Sequence, residues 1–282
     1  MPDLGRYTED AGATVSDLSG ESIRAGLQTS VFGRVVYYWP AIASTNDELK
    51  RLADQGAPEG ALAITDHQLA GRGRLQRTWI ASAGSSLLTS LLFRPSFLSL
   101  SQASQLTMLC SLAMADAVDG VAGLQPALKW PNDLLLGSKK LAGVLTELGI
   151  GQGSAAGAAL EWVVVGVGLN VNLDFAAQVP ELAETAVSLA TALGRPVPRL
   201  PLLQTYLVNV EARYEALRAG HSPLSEWTAR LATLGQAMTI HAPDGVYEGL
   251  AESVDETGAL LLRLADGRSV RILTGDVVLQ PG

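Results

Sequence analysis

The 282-residue sequence has a single cysteine, Cys110, which rules out an internal disulfide and a cysteine-built zinc site. Its three histidines lie far apart in sequence, so no histidine metal motif is present. Cations are scarce: 20 Lys+Arg against 28 Asp+Glu leave a net charge of −8 and a pI near 4.9. General nucleic-acid binding needs a basic surface that displaces counterions, and this balance argues against one. No apolar run is long enough to span a bilayer, and the N-terminus shows no secretory h-region, so the cytoplasm is the expected location. A Gly-x-x-x-x-Gly-Lys-Ser/Thr loop is missing, which excludes a P-loop nucleotide site. There is no internal repeat. The composition, 48% hydrophobic and 17% charged, fits an ordinary globular chain.

The few cations are concentrated. Gly71-Arg72-Gly73-Arg74-Leu75-Gln76-Arg77 holds three arginines and two glycines in seven residues, and Thr78-Trp79 follows. Glycine lets a backbone approach a ligand closely. Arginine presents a permanently charged planar fork that matches carboxylates and phosphates. The segment reads as an anion clamp, with a solvated basic turn as the plainer alternative. A second cluster comprises Lys129-Trp130-Pro131-Asn132-Asp133 and Lys139-Lys140-Leu141-Ala142-Gly143. Pro-Asn-Asp signals a turn. Gly137-Ser138 between two apolar runs predicts a β-hairpin whose second strand opens at Lys140. Taken alone, that hairpin is equally compatible with a solvated lysine pair.

Residues 1–30 are polar without periodicity and read as a loosely ordered tail with one short helical turn near 21–27. Strands are expected over 31–39, 61–66, 87–93 and 162–167. A helix capped by Thr45, with Glu48 reaching back, should end before Gly56. Further helices are expected over 101–118 (with Cys110 on the buried face), 183–193, 202–218 with Pro201 at the first position, and 223–231 with Ser222 as N-cap. Gly149–Gly157 reads as a loop or a flexible hairpin end. From 237 to 279 short alternating runs are separated by Pro243-Asp244-Gly245, Asp255–Gly258 and Asp266-Gly267, the pattern of a small barrel.

Taken in order, Ser44-Thr45-Asn46, Gln68-Leu69-Ala70-Gly71-Arg72-Gly73-Arg74, Lys129–Asp133, Lys140–Gly143 and Gly166-Val167-Gly168-Leu169-Asn170 resemble the motifs of biotin protein ligases. The resemblance spans roughly residues 36–282 and follows that family's order and approximate spacing. It implies an α+β fold, with a mixed sheet backed by helices followed by a small SH3-like β-barrel. It divides the chain into the tail at 1–30, a catalytic biotin- and ATP-binding domain at 31–234, and the barrel at 235–282. It implies a two-step reaction: biotin and ATP form biotinyl-5′-AMP, and biotin then passes to a lysine of a biotin carboxyl carrier protein.

The resemblance also implies roles. Ser44, Thr45 and Gln68 would surround the biotin ureido ring, and Gly71, Arg72, Trp79, Lys140, Gly143, Gly166 and Gly168 would complete the biotin site. ATP would meet Arg74, Arg77, Lys129, Asn132, Asp133 and Asn170. Lys140 and Arg74 would act in catalysis, and Asp133 would stand near Mg²⁺. Where the family pattern has a second glycine, this chain has Gln76, a residue poorly suited to positive φ. A lipoyl- or octanoyl-protein ligase and a biotin-responsive regulator are the alternative readings. With about 35 residues before the core and no basic recognition helix, DNA binding is not expected. Either a monomer or a homodimer is compatible with the sequence.

Overall fold

The computed structural model describes residues 16–151 and 159–279. Its first sheet has seven strands, in the order β1-β2-β3-β7-β6-β5-β4. These are β1 (Val36–Ile42), β2 (Leu62–Gln68), β3 (Ser86–Phe93), β4 (Ala127–Lys129), β5 (Asp133–Leu136), β6 (Lys139–Gly151) and β7 (Ala159–Asn170). β1 runs parallel to β2, and every other pairing is antiparallel, so the sheet is mixed. The hairpin expected around Gly137 is present, with Gly137 at φ 61°.

The period-2 alternation of β7 explains how the sheet is covered. Val163, Val165, Val167 and Leu169 face the main core, together with Leu87, Leu91 and Phe93 of β3. Helix α3 (Ser104–Ala122) lies on that face, and α6 (Arg199–Arg218) packs on α3. α3 is therefore apolar over most of its surface, and Cys110 is fully buried within it. On the other face Trp162 and Val164 meet Leu49 and Ala53 of helix α2 (Thr45–Asp54). α2 covers only part of this face. Beyond it the strands carry glycine, and that bare stretch becomes the floor of the site.

The second sheet contains β8 (Ala237–Ala242), β9 (Gly245–Val254), β10 (Leu260–Leu264), β11 (Ser269–Ile272) and β12 (Asp276–Leu279). Its five strands are all antiparallel, in the order β11-β10-β9-β8-β12, and form the small barrel-like unit that the turn signals predicted.

Several elements depart from expectation. The first 15 residues lie outside the described part, but residues 16–30 are not a loose tail. Helix α1 (Gly20–Arg24) is capped by Ser19, and Leu18, Ile23 and Leu27 are buried. Burying each such side chain contributes roughly 1.5–3 kcal/mol. Asp17 also pairs at 2.6 Å with Arg199, whose guanidinium reaches Asp66 at 2.7 Å. β1 starts at Val36 rather than 31, because Glu211 takes the N–H groups of Val31 (2.8 Å) and Phe32 (2.9 Å) away from any sheet. Ser44, not Thr45, caps α2, and Glu48 pairs with Arg51 instead of reaching back. The predicted helix over 183–193 is only α5 (Leu189–Leu193), following a short α4 (Phe175–Gln178). α6 starts at Arg199, which places Pro201 third. α7 (Leu224–Ala229) is capped at Pro223. β6 continues to Gly151, and the rest of the predicted 149–157 loop lies outside the described residues.

Candidate functional site

A cavity of about 790 Å³ opens over the glycine-rich part of the sheet. Every site residue expected from the sequence lines it except Gly71, which lies just beneath the loop. Gly71 accepts a hydrogen bond from the Trp79 N–H at 2.9 Å, and a Cβ at Gly71 would come within 2.7 Å of Trp79 O. Glycine is therefore required for the Gly71–Trp79 loop to fold back on itself.

The floor consists of Gly143, Gly166 and Gly168, with Gly143 and Gly168 as register partners on β6 and β7. The Trp79 indole lies flat on these two. A Cβ at Gly168 would fall 2.6 Å from Trp79 Cε2, and one at Gly143 would fall 3.3 Å from Cζ3. Lys140 Nζ stands 5.8 Å above the same ring and 2.7 Å from Asp133 Oδ1. The Trp79 Nε1 and Arg72 Nε atoms are buried without hydrogen-bond partners.

One end of the cavity is polar and neutral. Gln68 Oε1 accepts from Thr45 N at 2.9 Å and Thr45 Oγ1 at 3.1 Å, which leaves the Gln68 amide nitrogen as the end available to a ligand. Ser90 Oγ lies within hydrogen-bond distance of both Thr45 Oγ1 (2.8 Å) and Asn46 Oδ1 (2.6 Å) and has one proton for the two, and Thr89 Oγ1 is buried without a partner. Ser44 Oγ accepts from Asp47 N at 3.4 Å, so its hydroxyl also caps α2. Arg72 also lines the cavity, and its guanidinium pairs with Asp47.

The other end is cationic and is closed by the small sheet. Arg74 donates to Asn132 Oδ1 at 3.1 Å and to Thr274 Oγ1. Lys129 Nζ donates to Val277 O at 2.9 Å, and Arg77 pairs with Asp276. Burial pushes the Arg74 guanidinium below its ordinary value, against the pull of Asp133 and Asp276. Burial lowers Lys129 in the same way; Asp133 and Asp276 oppose that shift, while Lys140 and Arg77 add to it. Asn132 Nδ2 is committed to Val144 O at 2.6 Å. Asn170 Nδ2 donates to Lys140 O (3.4 Å) and Val187 O (3.2 Å), so it ties the root of β6 to residues 185–187.

Sequence reasoning placed Asn46 in a motif without giving it a role, and overlooked Thr89, Ser90, Glu147 and the segment Thr274–Val277. A signal existed for Thr89-Ser90: two hydroxyl residues interrupt the otherwise apolar core of β3, and a buried hydroxyl needs a partner. No local signal marks Glu147 or Thr274. Among the described residues no group of three or more His, Cys, Asp or Glu could hold a metal, and no helix is long and apolar enough to cross a membrane.

A cavity with a neutral hydrogen-bonding recess at one end and cations at the other suits a ligase that activates an acid with a nucleotide. Residues 38–170 match the biotin/lipoate A/B protein ligase family, and residues 233–280 match the biotin protein ligase C-terminal domain. The chain is 35% identical over 264 residues to the bifunctional ligase/repressor BirA of Bacillus spizizenii, covering 93% of this chain and 79% of that one. It is 34% identical over 242 residues to the biotin–[acetyl-CoA-carboxylase] ligase of Mycobacterium tuberculosis, covering 83% and 85%. The structure of the biotin protein ligase of Aquifex aeolicus in complex with biotin and ATP superposes with a TM-score of 0.71 at 26% identity, over 88% of this chain and 100% of that one. The chain belongs to the biotin/lipoate protein ligase family.

Proposed function

We propose that the chain is an ATP-dependent biotin protein ligase and that its 790 Å³ cavity holds biotin and ATP end to end. The observation that carries this reading is the division of the cavity into two ends. A ureido ring needs one acceptor and one donor, and Thr45 Oγ1 with the Gln68 amide nitrogen supplies both. A nucleotide phosphate needs cations, and Arg74 and Lys129, which are bonded to neutral oxygens, converge with Lys140 where the recess ends.

In the first half-reaction a biotin carboxylate oxygen attacks the α-phosphorus. The bond to the bridging oxygen breaks, and pyrophosphate leaves. Lys140 and Arg74 stabilise the charge that shifts onto the phosphoryl oxygens. Trp79 lies along the apolar middle and keeps water from the anhydride. In the second half-reaction the neutral amine of the carrier lysine attacks the acyl carbon. AMP leaves, an amide forms, and the proton passes to solvent. Mg²⁺ would neutralise phosphate charge, and Asp133 is the carboxylate placed to meet it. The lack of a ligand cluster among the described residues fits an ion delivered with the nucleotide better than a resident one.

The partner is the biotin-accepting domain of a carboxylase. The acidic balance speaks against DNA as a second partner. We place the chain in the cytoplasm, as a monomer or a homodimer, with residues 31–234 as the catalytic unit and 235–282 as the barrel. The test is to incubate the chain with ATP, Mg²⁺, an isolated carrier domain and either biotin, lipoate or octanoate, and to read the carrier by mass spectrometry. The biotin mass alone should be added. Transfer of lipoate or octanoate in its place would overturn the assignment.

A further inference from the structure

Glu147 lies on β6 outside every motif that pointed to the site, yet three groups converge on it. Its Oε2 accepts from Asn46 Nδ2 at 2.8 Å. Its Oε1 is 2.6 Å from Lys50 Nζ and 3.7 Å from Arg72 Nη2. Burial works against the Lys50 charge, but the bonds to Glu147 and Asp47 outweigh it and hold the ammonium above its ordinary value. Asn46 is buried, and its side chain fills the space over Gly166, where a Cβ would fall 2.2 Å from Asn46 Oδ1.

The order of these contacts decides which way the recess is polarised. An ionised carboxylate only accepts, so Asn46 must turn its NH₂ towards Glu147 and its oxygen towards Ser90. A leucine carbonyl, Leu145 O at 3.3 Å, supports the same orientation. Ser90 then commits its only proton towards Asn46 Oδ1. Thr45 Oγ1 is left facing two acceptors, Ser90 Oγ and Gln68 Oε1, and gives its proton to one of them. Its lone pairs remain for a ligand N–H, while the Gln68 amide nitrogen remains for a ligand carbonyl.

We propose that Glu147 is a positioning residue that sets the hydrogen-bond polarity of the acid-recognition recess through Asn46 and Ser90 and tethers the root of the Arg72 loop to the head of α2. The proposal rests on reading the recess as the site of the biotin ring. It concerns recognition and not bond making, because Glu147 does not line the cavity.

The test is steady-state kinetics with biotin and ATP varied separately. Glu147→Ala should raise KM for biotin on the order of tenfold, with kcat and KM for ATP close to wild type. Asn46→Asp sets two carboxylates face to face and should raise KM for biotin at least as much. Combining Asn46→Asp with Glu147→Gln exchanges donor and acceptor between the two positions, keeps an acceptor facing Ser90, and should recover most of the loss. A merely structural role predicts no such recovery in KM. The proposal is overturned if Glu147→Ala leaves KM for biotin unchanged, if only the melting temperature falls, or if the double variant is no better than Asn46→Asp. Failure of the wild-type chain to transfer biotin in the same assay would instead sink the ligase reading.

Discussion

Arg74 and Arg77 sit three residues apart in one loop, but their partners give them different value to an anion. Arg77 is 65% exposed and already paired with the Asp276 carboxylate, so a phosphate would have to compete with both water and Asp276. Arg74 is partly buried, and its hydrogen bonds go to the neutral oxygens of Asn132 and Thr274. Its charge is fixed in place without being cancelled. Arg74→Ala should therefore cut the affinity for ATP and the lifetime of the bound adenylate by about 10–100-fold, whereas Arg77→Ala should cost only a few-fold. Stopped-flow adenylate release measures both, and equal effects would refute the distinction. The floor glycines offer a second test at this scale. Gly168→Ala drives a methyl into the Trp79 ring, a clash that costs about 1–3 kcal/mol unless the indole lifts. The indole can lift, because it belongs to a loop. The expected outcome is a small change in melting temperature with a marked weakening of biotin binding in calorimetry. The reverse pattern would mean that Trp79 is core and not lid.

At the scale of elements, the Gly71–Trp79 loop is closed by its own backbone, with Gly73 N bonded to Arg77 O (2.6 Å) and Trp79 N to Gly71 O (2.9 Å). The side chain of Gln76, where the family pattern has a glycine, lies outside the described part of the structure. Among the described non-glycine residues only Leu75 takes the left-handed conformation, at φ 53° and ψ 38°. That conformation costs an L-residue about 1 kcal/mol, and Asn tolerates it better than Leu. Leu75→Asn should raise stability by up to about 1 kcal/mol. The urea midpoint reads this, and a midpoint that falls would contradict the cost assigned to Leu75. The turn joining β9 to β10 yields a pH prediction. Asp255 is penalised by burial, but bonds from the Thr257 hydroxyl, Arg271 and the backbone N–H groups of Thr257 and Ala259 bring it down to about 2. Its folded pKa lies below its unfolded one, so its contribution is complete above about pH 4 and is lost as pH falls towards about 2. Asp255→Asn should lower the melting temperature at neutral pH and flatten its fall across that acid window. The legibility of elements follows the same local logic. The strands of the barrel-like unit could be read because their turns carry Asp-Gly and Pro-Asp-Gly. The expected helix at 183–193 failed for a non-local reason. Leu182, Ala183 and Ala186 pack with Leu173, Phe175 and Val179 in a small separate cluster, and Lys140 draws Thr185 and Val187 into strand-like bonds. Lys140, Trp79 and Asn132 were legible because each sits in a motif. Glu147 and Ser90 were not, because they reach the site through cross-strand register with residues far away in sequence.

For the molecule as a whole, the phosphate end of the cavity does not belong to the seven-stranded sheet alone. Trp130, which lies between the two sheets, donates from its backbone N to Thr233 Oγ1 at 2.8 Å and from its ring to Gly258 O at 2.9 Å. Ser104 at the head of α3 donates to Thr257 O at 2.7 Å, and Met108 packs on Gly258 so closely that a Cβ there would come within 2.2 Å of its Cε. These contacts set the barrel-like unit against the cations. It then supplies acceptors of a particular kind: a hydroxyl for Arg74 and a backbone carbonyl for Lys129, both neutral. A neutral acceptor orients a cation and leaves its charge for the ligand, whereas a carboxylate would orient it and spend the charge. This makes Thr274 a test of whether the C-terminal unit is a scaffold or part of the site. Thr274→Val removes the acceptor and frees the Arg74 fork. The bound adenylate should dissociate roughly 3–10-fold faster, the value of about one hydrogen bond, with biotin affinity unchanged. Thr274→Asp keeps the guanidinium in place but neutralises it. ATP affinity should fall further than in Thr274→Val, biotin affinity should again be unchanged, and the folded state should be no less stable. If the unit only props up the sheet, the order reverses: Thr274→Asp, which keeps an acceptor, should behave like wild type, and Thr274→Val should lose stability without a selective effect on nucleotide. Titration calorimetry with ATP and with biotin on the two variants, alongside thermal melts, separates these outcomes.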